Sequence, residues 1–215
     1  MTDEVVVVPY ELDWPARFES ARARVSLVLG ERALGIEHIG STSVPGLSAK
    51  PVIDLLVGTK TLAEAEVCVP LLVADGWDFP ADVNATIVGR RFLRKLESGA
   101  RTHHLHVVVH GAELWTEYLE FRDKLRRHPD IAREYEELKR ELAEKYRDQR
   151  DLYTSSKTDF VARVLGLPPD TVRARPLLRL LAGTCFWPAH VSRGTHDHQD
   201  DVLQNGNLPP AREIR

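Results

Sequence analysis

The densest grouping of chemically capable residues is Glu37-His38-Ile39-Gly40-Ser41-Thr42-Ser43, followed by Lys50 and by Asp54 inside the apolar run 52–57. A strand that delivers the chain to a Gly-Ser turn leaves backbone N–H groups and hydroxyls free to face an anion. Such a turn end contributes about 0.3–1 kcal/mol, rising to ~2 when partly buried, enough to orient a phosphate but not to hold a nucleotide alone. Alternation along the following strand sends Lys50, Val52, Asp54 and Leu56 one way and Ile53, Leu55 and Val57 into the core. A carboxylate interrupting an apolar strand is costly unless it caps a loop or holds a metal. By itself Gly-Ser-Thr-Ser is an ordinary turn; Asp54 brings the functional reading level with it.

A second grouping runs through Gly89-Arg90-Arg91-Phe92-Leu93-Arg94-Lys95 and Arg101-Thr102-His103-His104-Leu105-His106. His104 and His106 share a strand face and could form a metal or phosphate pair. The bland alternative makes them polar positions on a half-solvated strand. Arg91 and Arg94 either lie on a solvated edge or line a phosphate pocket, since guanidinium forks match phosphate oxygens.

These blocks, with Val44-Pro45-Gly46-Leu47, Ala49-Lys50-Pro51, Phe121-Arg122-Asp123, Leu125-Arg126, Tyr135, Leu138-Lys139 and Lys157, resemble the GrpB family over roughly residues 5–167. The resemblance implies an α+β, nucleotidyltransferase-like mixed sheet with packed helices and a helical C-terminal half. It also implies kinship with modules joined to dephospho-CoA kinase. In nucleotidyltransferases a Gly-Ser turn precedes an Asp-x-Asp or Asp-x-Glu pair that holds two Mg²⁺ ions. Here Gly40-Ser41 and Asp54 match, Leu56 stands at the second carboxylate, and the neighbouring strand offers His104 and His106.

The implied site therefore has Asp54, His104 and His106 as catalytic groups. Those three with Glu37 would ligate a divalent metal, Mg²⁺ or Mn²⁺ ahead of Zn²⁺. Gly40, Ser41, Ser43, Lys50, Arg91 and Arg94 would grip the phosphate of a nucleotide or other phosphorylated small molecule. Three readings share these residues: nucleotidyl transfer to a hydroxyl, a non-catalytic nucleotide-binding module or kinase partner, and a metal-dependent phosphohydrolase.

The elements that must position these residues follow from periodicity. Asp13 before Trp14-Pro15 starts a helix whose apolar positions are Phe18, Ala21, Val25 and Val28, with Gly30 ending it. Strands are expected at 34–39, 52–57, 90–96 and 104–109. Thr61-Leu62-Ala63-Glu64 is a capping box that opens a helix kinked at Pro70 and closed at Gly76. Beyond Gly111 the chain turns helical, with Leu114, Tyr118, Phe121 and Leu125 on one face and Ile131, Tyr135, Leu138, Leu142 and Tyr146 on another. A last helix, about 156–165, stops at Gly166 and Pro168. Strands mixed with helices, then helices alone, argue for α+β.

Residues 4–167 read as the folded domain. Residues 168–215, with Pro168, Pro169, Pro176, Pro188, Pro209 and Pro210, read as a disordered or loosely packed tail with one apolar patch at 177–186. The charge, 29 Lys+Arg against 32 Asp+Glu, is balanced, which argues against a dedicated nucleic-acid binder. Two cysteines, Cys68 and Cys185, make no disulfide framework, an acidic start is unlike a signal peptide, and no apolar run nears the ~20 residues of a membrane span. A cytoplasmic setting is expected. Nothing in the sequence sets an oligomeric state.

Overall fold

The computed structural model describes residues 5–85 and 88–168; the expected tail lies outside the described residues, apart from Pro168. Asp13 and Pro15 open α1 (Trp14–Leu29), and Gly30 follows it. Then come β1 (Gly35–Ile39), a 3₁₀ turn at Ser41–Ser43 and β2 (Ile53–Thr59). Helix α2 (Leu62–Ala74) begins at the capping box, with Thr61 Oγ1 accepting from the Glu64 N–H at 3.1 Å, and continues through Pro70. The short α3 (Ala81–Ala85) precedes the hairpin of β3 (Arg90–Glu97) and β4 (Ala100–Val109). Its tip, Ser98 and Gly99, has φ of 50° and 82°, the pair of positive values that suits the twist of a tight hairpin.

The helical half consists of α4 (Glu113–Arg127), α5 (Pro129–Lys145), α6 (Arg150–Ser155) and α7 (Thr158–Leu165). The expected last helix is α7, and α6 before it is an element the pattern did not give. Among the described residues no helix is long and apolar enough to cross a membrane.

The four strands form one mixed sheet in the order β1-β2-β4-β3. β1 pairs antiparallel with β2, β2 parallel with β4, and β4 antiparallel with β3. This is the α+β arrangement that the sequence pattern implied. Both sheet faces are covered. Ile53, Leu55, Val57, Leu93, Leu105 and Val107 pack against Trp14, Phe18, Val25 and Leu29 of α1 and Ala65, Cys68 and Leu72 of α2. On the other face Ile39, Leu56 and Val108 meet Leu114, Tyr118 and Phe121 of α4, Tyr135 of α5 and Phe160 and Val161 of α7.

Burial of each such side chain stabilises the fold by about 1.5–3 kcal/mol. The fit is close at Gly58, where a Cβ would stand 2.7 Å from His110 Cδ2 and 2.9 Å from Trp115 Cζ3. Because the helical half covers the second face, His104 and His106 are not half-solvated: they are 3% and 2% exposed on the inner strand β4.

Candidate functional site

Asp54 enters the site near the start of β2, in register with Ile39 of β1 on one side and His104 of β4 on the other. One pleat further on, Leu56 is in register with His106, so alternation places both imidazoles on the Asp54 face. The turn after β1 closes over the carboxylate. Gly40 has φ 71° and ψ −176°, a region essentially restricted to glycine, and a Cβ there would overlap Asp54 Oδ2.

The three side chains meet at one carboxylate oxygen. His104 Nδ1 donates to Asp54 Oδ1 at 2.9 Å, and His106 Nε2 faces the same oxygen at 3.7 Å. The far nitrogen of His106, Nδ1, is 2.6 Å from Nη1 of Arg90, which also donates to the Tyr118 hydroxyl at 2.9 Å. Arg90 is fully buried. Nε2 of His104 has no hydrogen-bond partner among the described residues.

Burial pushes both imidazoles down to about 4, for His104 against the pull of Asp54, and for His106 with help from Arg90. Burial would raise the Asp54 carboxyl, but the hydrogen bond from His104 and the nearby His106 N–H outweigh it and hold it well below the usual carboxylate range. One oxygen or nitrogen from each of Asp54, His104 and His106 falls within 4.8 Å of the others, a spacing that a single cation could bridge.

These residues line a small cavity of about 60 Å³ between the sheet and the helical half. Gly40, Ser41 and Lys50 line it as well, with Tyr118, Tyr135, Lys139, Tyr153 and Lys157. Lys139, on α5, donates to the Ser48 carbonyl and lies 5.0 Å from the Tyr135 ring centroid. Lys157, just before α7, lies 4.4 Å from the centroid of the Tyr153 ring, and Lys50 lies 5.0 Å from the same ring. Burial lowers the Lys139 ammonium to about 7. Lys157 is driven well below its ordinary value, first by burial and then by Lys50 and Lys139 beside it.

The structure does not bring every expected residue to this cavity. Arg91 is in register with Val107, on the opposite face of the sheet, and its Nε reaches Glu66 of α2 at 2.5 Å. Arg94 shares the face of His104 but sits on the edge strand β3, where Asp78 Oδ2 takes its Nε at 2.5 Å. Glu37, on the other edge strand, is held by Arg122 of α4 at 2.7 Å. Ser43 turns its hydroxyl back onto the Gly40 carbonyl at 2.6 Å, and its own carbonyl accepts from Arg126. Leu56 is wholly buried among apolar side chains.

Conversely, residue patterning did not nominate Lys139 and Lys157, which entered only through the family resemblance. A signal existed: Lys139 stands four residues after Tyr135 and three before Leu142, within an otherwise apolar stripe.

Comparison with known proteins bears on the same residues. The family model described as GrpB protein matches residues 4–166. The Glutamate-rich protein GrpB of Alkalihalophilus pseudofirmus is 34% identical over 165 residues, 75% of this chain and 94% of that protein. The crystal structure of the conserved protein GrpB from Enterococcus faecalis superposes with a TM-score of 0.68 at 32% identity, covering 79% of this chain and 98% of that one. A cytoplasmic RNA terminal U-transferase overlaps more slightly, with a TM-score of 0.38 at 16% identity over 62% of this chain and 43% of that one. A dephospho-CoA kinase of Mycolicibacterium paratuberculosis is 27% identical over 176 residues, 71% of this chain and 43% of that protein.

Proposed function

The chain belongs to the GrpB family, and from that premise we propose that it binds the phosphoryl end of a nucleotide or another phosphorylated small molecule in the cavity behind the Gly40–Ser41 turn. One observation carries the reading. Lys50, Lys139 and Lys157 come from three separate segments to one cavity in which Asp54 is the sole acidic side chain among the lining residues. Amines gathered in a poorly hydrated space give up protons, as the depressed Lys139 and Lys157 do, and an anionic guest would recharge them and hold the charge. The Ser41 hydroxyl and the turn add neutral donors on the same wall.

Size narrows the guest. A cavity of about 60 Å³ is far below the roughly 300–1,000 Å³ of pockets that enclose a whole drug-sized ligand. It suits a phosphoryl group, with any sugar and base left outside. The buried cations then read charge, and the base is read weakly.

Calorimetric titration of the full chain with inorganic triphosphate, ATP and adenosine tests this. Triphosphate and ATP bind and adenosine does not; Lys157→Met weakens both anions about 10- to 150-fold, the loss of one charge-assisted contact. Equal binding of adenosine, or no effect of Lys157→Met, rules the reading out. A second reading, a binding module that serves a kinase, draws on the partial match to dephospho-CoA kinase. Release of pyrophosphate from nucleoside triphosphates separates a transferase from such a module.

A further inference from the structure

We propose that Asp54, His104 and His106 work as a metal-free triad whose open atom, Nε2 of His104, accepts a hydroxyl hydrogen that the ligand presents beside its phosphoryl group. The ligand half of this rests on the phosphate reading above; the metal-free half stands on the hydrogen bonds alone.

Arg90 decides the tautomer of His106. A guanidinium carries only donors, and Nη1 of Arg90 is 2.6 Å from Nδ1 of His106. Nδ1 of His106 must therefore be the acceptor. A neutral imidazole with an accepting Nδ1 carries its proton on Nε2, the atom that faces Asp54 Oδ1 at 3.7 Å. Histidines that ligate a metal are arranged the other way, with the far N–H donated to a carboxylate or carbonyl and the near nitrogen bare.

For His106 to ligate through Nε2 it would have to lose that proton and break with Arg90. A fully buried guanidinium would then lose an acceptor. The divalent ion expected on Asp54, His104, His106 and Glu37, Mg²⁺ or Mn²⁺ ahead of Zn²⁺, does not fit the residues as they are bonded.

His104 has the opposite tautomer. Its Nδ1–H is committed to Asp54 at 2.9 Å, so Nε2 holds a lone pair. That atom is buried and has no partner among the described residues, and His104 is one of the residues that line the cavity. A buried acceptor among cations selects a guest with anionic oxygens and one donor: a phosphoryl group with a hydroxyl next to it. Asp54 is the positioning residue for His104, and Arg90 with Tyr118 fixes His106 so that its N–H also points to Asp54.

The first test needs no ligand. Long-range ¹H–¹⁵N spectra of the full chain at pH 7.5 should show His104 protonated on Nδ1 and His106 on Nε2, unchanged by Mg²⁺, Mn²⁺ or Zn²⁺. His106 protonated on Nδ1, or a saturable metal response at both rings that Asp54→Asn removes, overturns the metal-free triad. The second test compares inorganic phosphate with sulfate. At this pH phosphate is mostly a dianion that keeps one P–OH, whereas sulfate has the same charge and no hydrogen to donate.

Phosphate should bind roughly 2- to 10-fold tighter than sulfate, the worth of one hydrogen bond, and should move the His104 Nε2 resonance. His104→Phe should erase the preference while leaving sulfate affinity in place. Equal affinity for the two anions, or a preference that survives His104→Phe, overturns the acceptor role. Failure of both anions to bind overturns the phosphate reading and the acceptor role together. The metal-free triad is then decided by the tautomers alone, which are measured on the free protein.

Discussion

Raising the pH above 7 should weaken anion binding in proportion to how far burial has depressed the lysines. Lys139 is 2% exposed and its ammonium titrates at about 7 in the empty site. At pH 8 only about one tenth of it is charged, and each further unit multiplies the neutral excess by ten. A guest that requires the charged form must restore the proton, at about 1.4 kcal/mol, or tenfold in Kd, per pH unit above 7. The sign is fixed by the direction of the shift: a depressed lysine is neutral when the site is empty and is recharged when the anion arrives, so binding takes up protons. Lys157 is depressed in the same direction and adds its own proton wherever it is neutral in the empty site.

The slope of log Kd for ATP should therefore lie between one and two between pH 8 and 9. It should fall by about one in Lys139→Met, since the substitution removes one titrating amine of the pair. ATP has a single terminal phosphate, whose last proton, with a pKa of about 6 in a phosphate ester, is gone before this window opens. Calorimetry at pH 8 in buffers of different ionisation heat counts the protons directly. A wild-type affinity that stays flat from pH 7 to 9, or a variant with the wild-type slope, would show that Lys139 does not charge against the guest.

Arg91→Ala and Arg94→Ala should leave triphosphate affinity within twofold of wild type and cost less than ~1 kcal/mol of stability each, because their partners Glu66 and Asp78 form solvent-facing ion pairs; a tenfold weakening would return either to the site. Gly40→Ala should destabilise by about 1–3 kcal/mol from its backbone conformation alone, more from the overlap with Asp54, and abolish triphosphate binding; a thermal melt and a titration matching wild type would contradict the geometry. Stability in urea should be full above pH 6.5 and fall between 6.5 and 4, because His104 and His106 titrate at about 4 when folded but near 6.5 when unfolded. Asp54, depressed below its ordinary range, keeps its own contribution above about pH 4 and loses it only below. A urea midpoint unchanged from pH 7 to 4.5 would place both imidazoles in water.

Local physics made much of this molecule legible in its amino acids. The capping box at Thr61, the proline at the head of α1, the glycines at turns and the 2.0 and 3.6 periods mark most elements within a residue or two of where they form, although β4 begins four residues before the expected 104 and the short α3 and α6 left no such mark. The pairing of Gly40–Ser41 with Asp54 was also readable, because turn and strand are close in the chain. Charge alone could not say which basic residues face the site. Arg91 and Arg94 stand in the most basic stretch, yet strand alternation turns Arg91 to the α2 face and the sheet edge gives Arg94 to Asp78.

The lysines that do face the cavity, Lys139 and Lys157, lie 85 and 103 residues beyond Asp54. Only the packing of the helical half onto the second sheet face brings them there. The same packing buries His104 and His106 and sets Arg90 against Nδ1 of His106. A tautomer depends on which donor is within 3 Å, and that is a property of the folded chain, not of its order of residues.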